Sequence, residues 1–237
     1  MTALLCDRFG IGAHELVSIV GAGGKTTILI ELGRELASRG GRVILTTTTK
    51  IAADQVVEPT CWSVDPTDVE AALLPGTPLM VVTGHVQGKV IGPEPDAVDR
   101  MYSATSADHV LVEADGARSR SIKAPADHEP AIAGLSSTVI VVVGIDAIGR
   151  PLHTVAHRPD RIAALTGLGN DDILSVEDTA TILLHPAGGL KRIPETARVV
   201  MAITKVNQEN KTAANTLATI LDAHPRVDRA VTVANNR

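Results

Sequence analysis

Seven short runs rich in Val, Ile, Leu and Thr recur along the chain, and longer segments of helical spacing lie between them. The runs are Leu16 to Val20, Arg42 to Thr47, Leu79 to Thr83, Val110 to Glu113, Thr138 to Val143, Val199 to Thr204 and Ala230 to Val233. Several are almost wholly apolar rather than alternating, the pattern of strands covered on both faces. The clearest helix spans Thr26 to Arg39, with Ile28, Leu29, Leu32 and Leu36 on one side and Gly40-Gly41 as its stop. Thr212 to Asp222 repeats the pattern with Leu217, Ile220 and Leu221. Such alternation predicts an α/β fold with a mostly parallel central sheet and helices on both faces. Two segments break the rhythm. Residues 84–95, GHVQGKVIGPEP, read as a small β-hairpin insertion or a loop. Residues 115–136 form a polar connection longer than packed domains leave structureless without a functional reason.

The first run passes straight into Gly21-Ala22-Gly23-Gly24, and Lys25-Thr26-Thr27 opens the following helix. A polyphosphate needs several backbone N–H groups converging on it, and glycines permit both the turn and the close approach. A helix N-terminus adds unsatisfied N–H groups and a favourable dipole. The phosphate-binding set is therefore Gly21, Ala22, Gly23, Gly24, Lys25, Thr26 and Thr27, with Lys25 reaching the outer phosphates and the Thr26 hydroxyl ligating Mg²⁺. The spacing is not the common G-x-x-x-x-G-K-[ST], because Ile19 stands where the first glycine would be. The shorter G-x-x-G-K-T form resembles the loop of the Mur-type ligases.

A phosphate loop of this kind needs an acid at the end of a second buried strand. In the segment HVLVEADG, Glu113 ends the strand and Asp115 follows it, and both are candidate catalytic and metal-holding groups, with Asp115 preferred. Thr46 to Thr49 and Lys50 leave the second strand with hydroxyls able to meet Mg²⁺, a γ-phosphate or water. Near the C-terminus, Thr204-Lys205-Val206-Asn207 is similar to the guanine-reading [NT]-K-x-D motif of GTPases, with Asn207 in place of the aspartate. A carboxamide matches the donor–acceptor edge of adenine better than the two donors of guanine, so Lys205 and Asn207 are assigned to the base with ATP weakly favoured over GTP.

Composition narrows the remaining classes. Lys and Arg number 22 against 27 Asp and Glu, a net charge of −5, and the aromatics are Phe9, Trp62 and Tyr102. A nucleic-acid binder usually carries a basic patch and stacking aromatics, so none is expected as a partner. Cys6 and Cys61 are too few for a disulfide framework or a four-cysteine zinc site and are expected to be inert. His153 and His157 stand four apart, but Pro151 and Pro159 bracket them, which makes a poor helix for a metal pair. The opening MTALLCDRFG has neither the basic nor the apolar segment of a secretion signal, and no apolar run approaches membrane-spanning length. The expectation is a cytoplasmic protein with no membrane partner, made of one domain over 1–237.

Taken together, GAGGKTT, TTTTK, VEADGARSRSIKAPADHEP, AHRPDRIAALTG and ITKVN resemble the YqeC family, over about Ser18 to Asn207. Its members are described as accessory factors of selenium-dependent molybdenum hydroxylases, or selenium cofactor biosynthesis proteins. The resemblance implies a P-loop NTPase fold, a cytoplasmic location and a role in maturing a selenium- or molybdenum-containing cofactor. By resemblance Gly21, Gly23, Gly24, Lys25 and Thr26 bind phosphate, and Glu113 and Asp115 take the metal-side acidic role. Lys123 lies in the same signature segment, facing phosphates or a partner, and Arg158 of His157-Arg158-Pro159 is a candidate charge-stabilising arginine. The expected activity is slow, Mg²⁺-dependent hydrolysis of ATP or GTP that assists a molybdenum hydroxylase or another cofactor-maturation protein, with a homodimer left open. The rival readings are an ATP-dependent kinase or ligase, its small acceptor held by residues 84–128, and a regulatory protein that binds nucleotide without hydrolysing it.

Overall fold

The structure, a computed structural model, describes residues 4–234. The elements in the first half are α1 (Leu5–Phe9), β1 (Glu15–Gly21), α2 (Lys25–Ser38), β2 (Val43–Thr47), β3 (Lys50–Ala52), β4 (Thr60–Cys61), α3 (Pro66–Ala72) and β5 (Leu79–Val81). A hairpin of β6 (Gly84–Val86) and β7 (Lys89–Ile91) follows, then α4 (Pro95–Ala104), β8 (His109–Glu113) and β9 (Ile122–Lys123). The second half holds β10 (Thr138–Gly144), α5 (Leu152–Val155), β11 (Ala156–His157), α6 (Pro159–Thr166), α7 (Val176–Leu184), β12 (Arg198–Val206), α8 (Lys211–Asp222) and β13 (Arg229–Ala234).

The large sheet has eight strands in the order β13-β12-β10-β1-β8-β2-β5-β4, is mostly parallel and is flanked by helices. Its inner strands β2, β8 and β10 are buried at every position, which explains why their sequences are apolar runs rather than alternations. The expected hairpin is present: β6 and β7 pair antiparallel, and β3 joins β7 to complete a three-stranded sheet.

The chain divides into two compact units. The first comprises the residues up to Ile19, then Thr26–Gly116 and Ala131–Thr138. Its core gathers Leu16, Ile44, Leu79, Val110 and Val112 from the strands with Val69 of α3 and Val98 and Met101 of α4. Ile28, Leu29, Leu32 and Leu36 of α2 are buried as their spacing predicts. The helix lies close on β2, since a Cβ added at Gly33 would come 2.5 Å from a methyl of Leu45. At its end Gly40, in the left-handed region at φ +89°, donates to Ala37 O at 2.8 Å.

The second unit comprises Val20–Lys25, Ala117–Pro130 and the residues from Val139 on. Its core is built from Ile140, Val142, Val199, Met201 and Ile203 with Leu217 and Leu221 of α8. Ser175 and Asp178 cap α7 reciprocally, the serine oxygen taking the Asp178 N–H at 3.0 Å and the carboxylate taking the Ser175 N–H at 3.1 Å. Among the described residues no helix is long and apolar enough to cross a membrane.

Candidate functional site

The glycine loop is held by contacts that exclude side chains. Gly21, Gly23 and Gly24 have φ of +95°, +93° and +131°, values that an L side chain rarely adopts. Space forbids one as well: a Cβ at Gly21 would lie 2.3 Å from Val142 O, and one at Gly23 would lie 2.4 Å from Gly144 N. The Ala22 N–H donates to Val142 O at 2.9 Å, so this amide anchors the loop to the strand end. The Thr204 hydroxyl lies between the Gly23 and Val143 carbonyls and ties the loop to β12. Lys25 is buried, and its Nζ curls back to donate to Gly21 O at 2.8 Å. An ammonium folded over its own glycine loop is charge placed where a phosphate would meet it.

The next residue begins the machinery of the first unit. Thr26 donates its hydroxyl proton to Glu113 Oε2 at 2.7 Å. Glu113 is carried there by β8, which pairs with β1 in parallel register, Ile19 opposite Glu113. The Gln55 side-chain amide approaches the same Thr26 oxygen at 3.4 Å. Asp115 is buried two residues beyond Glu113, and Thr27 is exposed. A hydroxyl and a carboxylate oxygen side by side are hard oxygen donors, which suits Mg²⁺, whose other ligands are usually phosphate and water. The residues therefore fit that ion.

The threonines leaving β2 are used differently. Thr46 donates to Val81 O at 2.7 Å, Thr47 to Glu113 O at 2.9 Å and Thr48 to Ala131 O at 2.7 Å. Their protons are committed to main-chain carbonyls and fix the strand ends around Glu113.

In the second unit Lys205, at φ +59°, donates to Ser121 Oγ at 2.8 Å and pairs with Asp146 at 2.9 Å. Asn207 is exposed, and its side-chain oxygen accepts the Glu209 and Asn210 N–H groups at 2.9 and 3.0 Å, shaping the turn before α8. Its amide N–H₂ carries no part of that turn. Lys123 is buried and donates to Glu129 Oε2 at 2.8 Å, and Arg158 grips both oxygens of the same carboxylate at 2.7 and 3.2 Å. Burial pushes the Glu129 carboxyl up, but the hydrogen bonds from Lys123 and Arg158 outweigh it and hold the pKa at about 2. Burial and the charges of Arg158 and Lys123 draw His157 down to about 4. Gln55 and Gly144 carried no signal in the sequence, since each acts through a partner distant in the chain, and Ser121 and Glu129 were marked only as part of the segment that resembles the family. Cys6 is buried, and burial raises its thiol.

The fold and this junction define a class: an α/β protein with a P-loop-like arrangement of strand, glycine loop and helix. Within it the chain belongs to the YqeC family. Residues 17–160 match the family described as YqeC protein. The chain is also 35% identical over 232 residues to a protein of Escherichia coli (strain K12) described as "Uncharacterized protein YqeC", across 94% of this chain and 89% of that relative.

Proposed function

We propose that the chain binds a nucleoside triphosphate with Mg²⁺ at the glycine loop and hydrolyses it slowly, in the service of maturing a selenium- or molybdenum-containing hydroxylase. The observation that carries the first part is the 2.7 Å hydrogen bond between Thr26 and Glu113. It joins the second residue of α2 to the acid that ends the neighbouring parallel strand, the pairing a phosphate loop needs at its cation. The maturation role rests on the family resemblance, as does the cytoplasmic location.

Catalysis on this reading is positional and electrostatic. The loop amides and the N-terminus of α2 receive the phosphates, and Lys25 exchanges Gly21 O for phosphate oxygens. Thr26 and Glu113 would hold Mg²⁺, which would supply neutralisation of the phosphate charge. Glu113 or Asp115 orients the attacking water. Nucleotide turnover then drives loading or release of a cofactor precursor on the partner enzyme.

The test is thermal unfolding with MgATP and with MgGTP. A ligand at 100 times its dissociation constant stabilises by about 2.7 kcal/mol. Losing a charge-assisted contact costs about 1.5–3 kcal/mol. Lys25→Ala should therefore retain the fold and lose the nucleotide-induced shift. An undiminished shift in the variant overturns the assignment. Phosphate appearing on an added small acceptor rather than in water identifies a kinase instead, and binding without turnover in the presence of partner identifies a regulatory protein.

A further inference from the structure

The Thr26–Glu113 pair has a third neighbour, Gln55, to which the mechanism above gives no task. β2 pairs with β8 so that Thr47 stands opposite Glu113. The chain leaving β2 bonds the main chain of Glu113 at once, the Thr48 N–H donating to Glu113 O at 3.0 Å beside the Thr47 hydroxyl. It then runs as β3 along β7, Ile51 opposite Val90 with both side chains buried. The Gly92 N–H closes that seat on Thr49 O at 3.2 Å. A single 3₁₀ turn, Ala53–Gln55, follows β3 and brings the glutamine back to Thr26. Glu113 and Gln55 are thus both tied to the exit of β2, one by its main chain and the other through β3.

Hydrogen bonding sets the orientation of the Gln55 amide. Its Oε1 takes the Ala52 N–H at 3.0 Å, and a backbone N–H can only donate, so the oxygen must be the atom on that side. The N–H₂ group is left facing Thr26 Oγ1, at 3.4 Å. That contact is long, whereas the Thr26 proton goes to Glu113 Oε2 at 2.7 Å. Gln55 and Thr26 are both half-buried. A cation on Thr26 Oγ1 would repel the N–H₂, whose hydrogens also carry positive charge. The group suits instead the oxygens that surround such a cation, and for Mg²⁺ those are usually phosphate and water. Phosphate oxygens are the charged ones, and a hydrogen bond to a charged acceptor is about twice as strong as a neutral one. With its oxygen committed to Ala52, Gln55 has no acceptor to offer a water proton.

We propose that Gln55 reads the terminal phosphate of the nucleotide: its N–H₂ leaves the Thr26 oxygen when the site fills and donates to an oxygen of the terminal phosphoryl group. The inference rests on the nucleotide reading above and deepens it, because this contact is the one that separates a triphosphate from a diphosphate. The amides of the glycine loop hold the phosphates that both possess. Loss of the terminal phosphate returns the N–H₂ of Gln55 to Thr26.

The test measures affinities of the full-length protein by calorimetry at saturating Mg²⁺, for ADP and for the β,γ-imido analogue of ATP, which is not hydrolysed. Gln55→Ala should weaken binding of the triphosphate analogue by about 10- to 100-fold, the usual worth of a hydrogen bond to a charged group, and leave ADP nearly unaffected. Gln55→Glu is the control for a purely structural role, because a carboxylate oxygen still takes the Ala52 N–H while the donor is gone. It should lose the preference for the triphosphate at least as fully as Gln55→Ala. A Gln55→Glu variant that binds both compounds as the wild type does, or a Gln55→Ala variant that loses affinity for both alike, overturns the proposal and leaves the nucleotide reading standing. A wild type that binds neither compound overturns the nucleotide reading, and this inference falls with it.

Discussion

Glu113 and Asp115 are both buried and only two residues apart, yet it is Glu113 that takes the Thr26 hydroxyl. On the proposed function, Glu113→Gln should lower hydrolysis by about 10²-fold or more while changing nucleotide affinity far less, because the loop amides and Lys25 still hold the phosphates. Asp115→Asn should lower it by a smaller factor. Comparing turnover with affinity at saturating Mg²⁺ checks both, and full turnover in Glu113→Gln would refute the assignment. A second residue-scale expectation concerns acid. Glu129 is held at about 2 against an ordinary 4.5, so its contribution to stability is complete above the ordinary value and drains away as pH falls through the folded one. His157 protonates near 4 in the fold and near 6.5 when unfolded, so acid draws protons onto the unfolded chain across that interval and stability falls there too. Glu129→Gln removes a carboxylate from the buried pair it forms with Lys123, a loss of about 3–5 kcal/mol at neutral pH. The variant should also show a flatter decline below the ordinary carboxylate range, as read from urea midpoints against pH.

At the scale of elements, the glycine loop owes its shape to β12 as much as to its glycines. Thr204 on β12 is buried, with its hydroxyl on the carbonyls of Gly23 and Val143. Thr204→Val keeps the shape and removes the donor, leaving buried carbonyls short of a partner at a cost of about 1–3 kcal/mol. Urea unfolding should show that loss, and nucleotide affinity should weaken with it because the loop is no longer anchored. Unaltered stability and affinity together would show that the hydroxyl is idle. In the first unit the hairpin of β6 and β7 is seated by Gly92, where a Cβ would fall 1.5 Å from Thr47 O. The Gly-Pro-rich composition of 84–95 announced a hairpin, but gave no hint that its base rests on the strand beside Glu113. β9 and β11 are two residues each. Their existence depends on long-range pairing that no local periodicity records.

At the scale of the whole molecule, the proposed function makes a prediction about the choice between ATP and GTP. Asn207 spends its side-chain oxygen on the Glu209 and Asn210 amides, which leaves the N–H₂ as the group able to read a base. A donor suits an acceptor on adenine and opposes the donor edge of guanine. The wild type should therefore show no strong preference for GTP. Asn207→Asp can keep the turn, since a carboxylate oxygen accepts the same amides, and should shift preference toward GTP by about 1–3 kcal/mol. Affinities for ATP and GTP in both forms decide it. A wild type already tenfold selective for GTP, or a variant with no shift, removes Asn207 from the base.

The sequence by itself determined seven of the eight strands of the large sheet, the helices α2 and α8 and the glycine loop, because each is a local matter. Apolar runs mark strands buried on two faces, Ile28, Leu29, Leu32 and Leu36 mark one helix face, and three glycines mark a backbone that no side chain can follow. Membership of the YqeC family was legible in the same way, from short motifs read in order. Only the tertiary structure decided which acid meets Thr26, that Thr46, Thr47 and Thr48 serve main-chain carbonyls, and that Lys123 and Arg158 converge on Glu129. Apart from Lys123 and Glu129, which stand six positions apart, these are hydrogen bonds and ion pairs between residues 29 to 87 positions apart. Their geometry follows from strand register and from the few donors and acceptors left in a buried site, neither of which is written in any one stretch of chain.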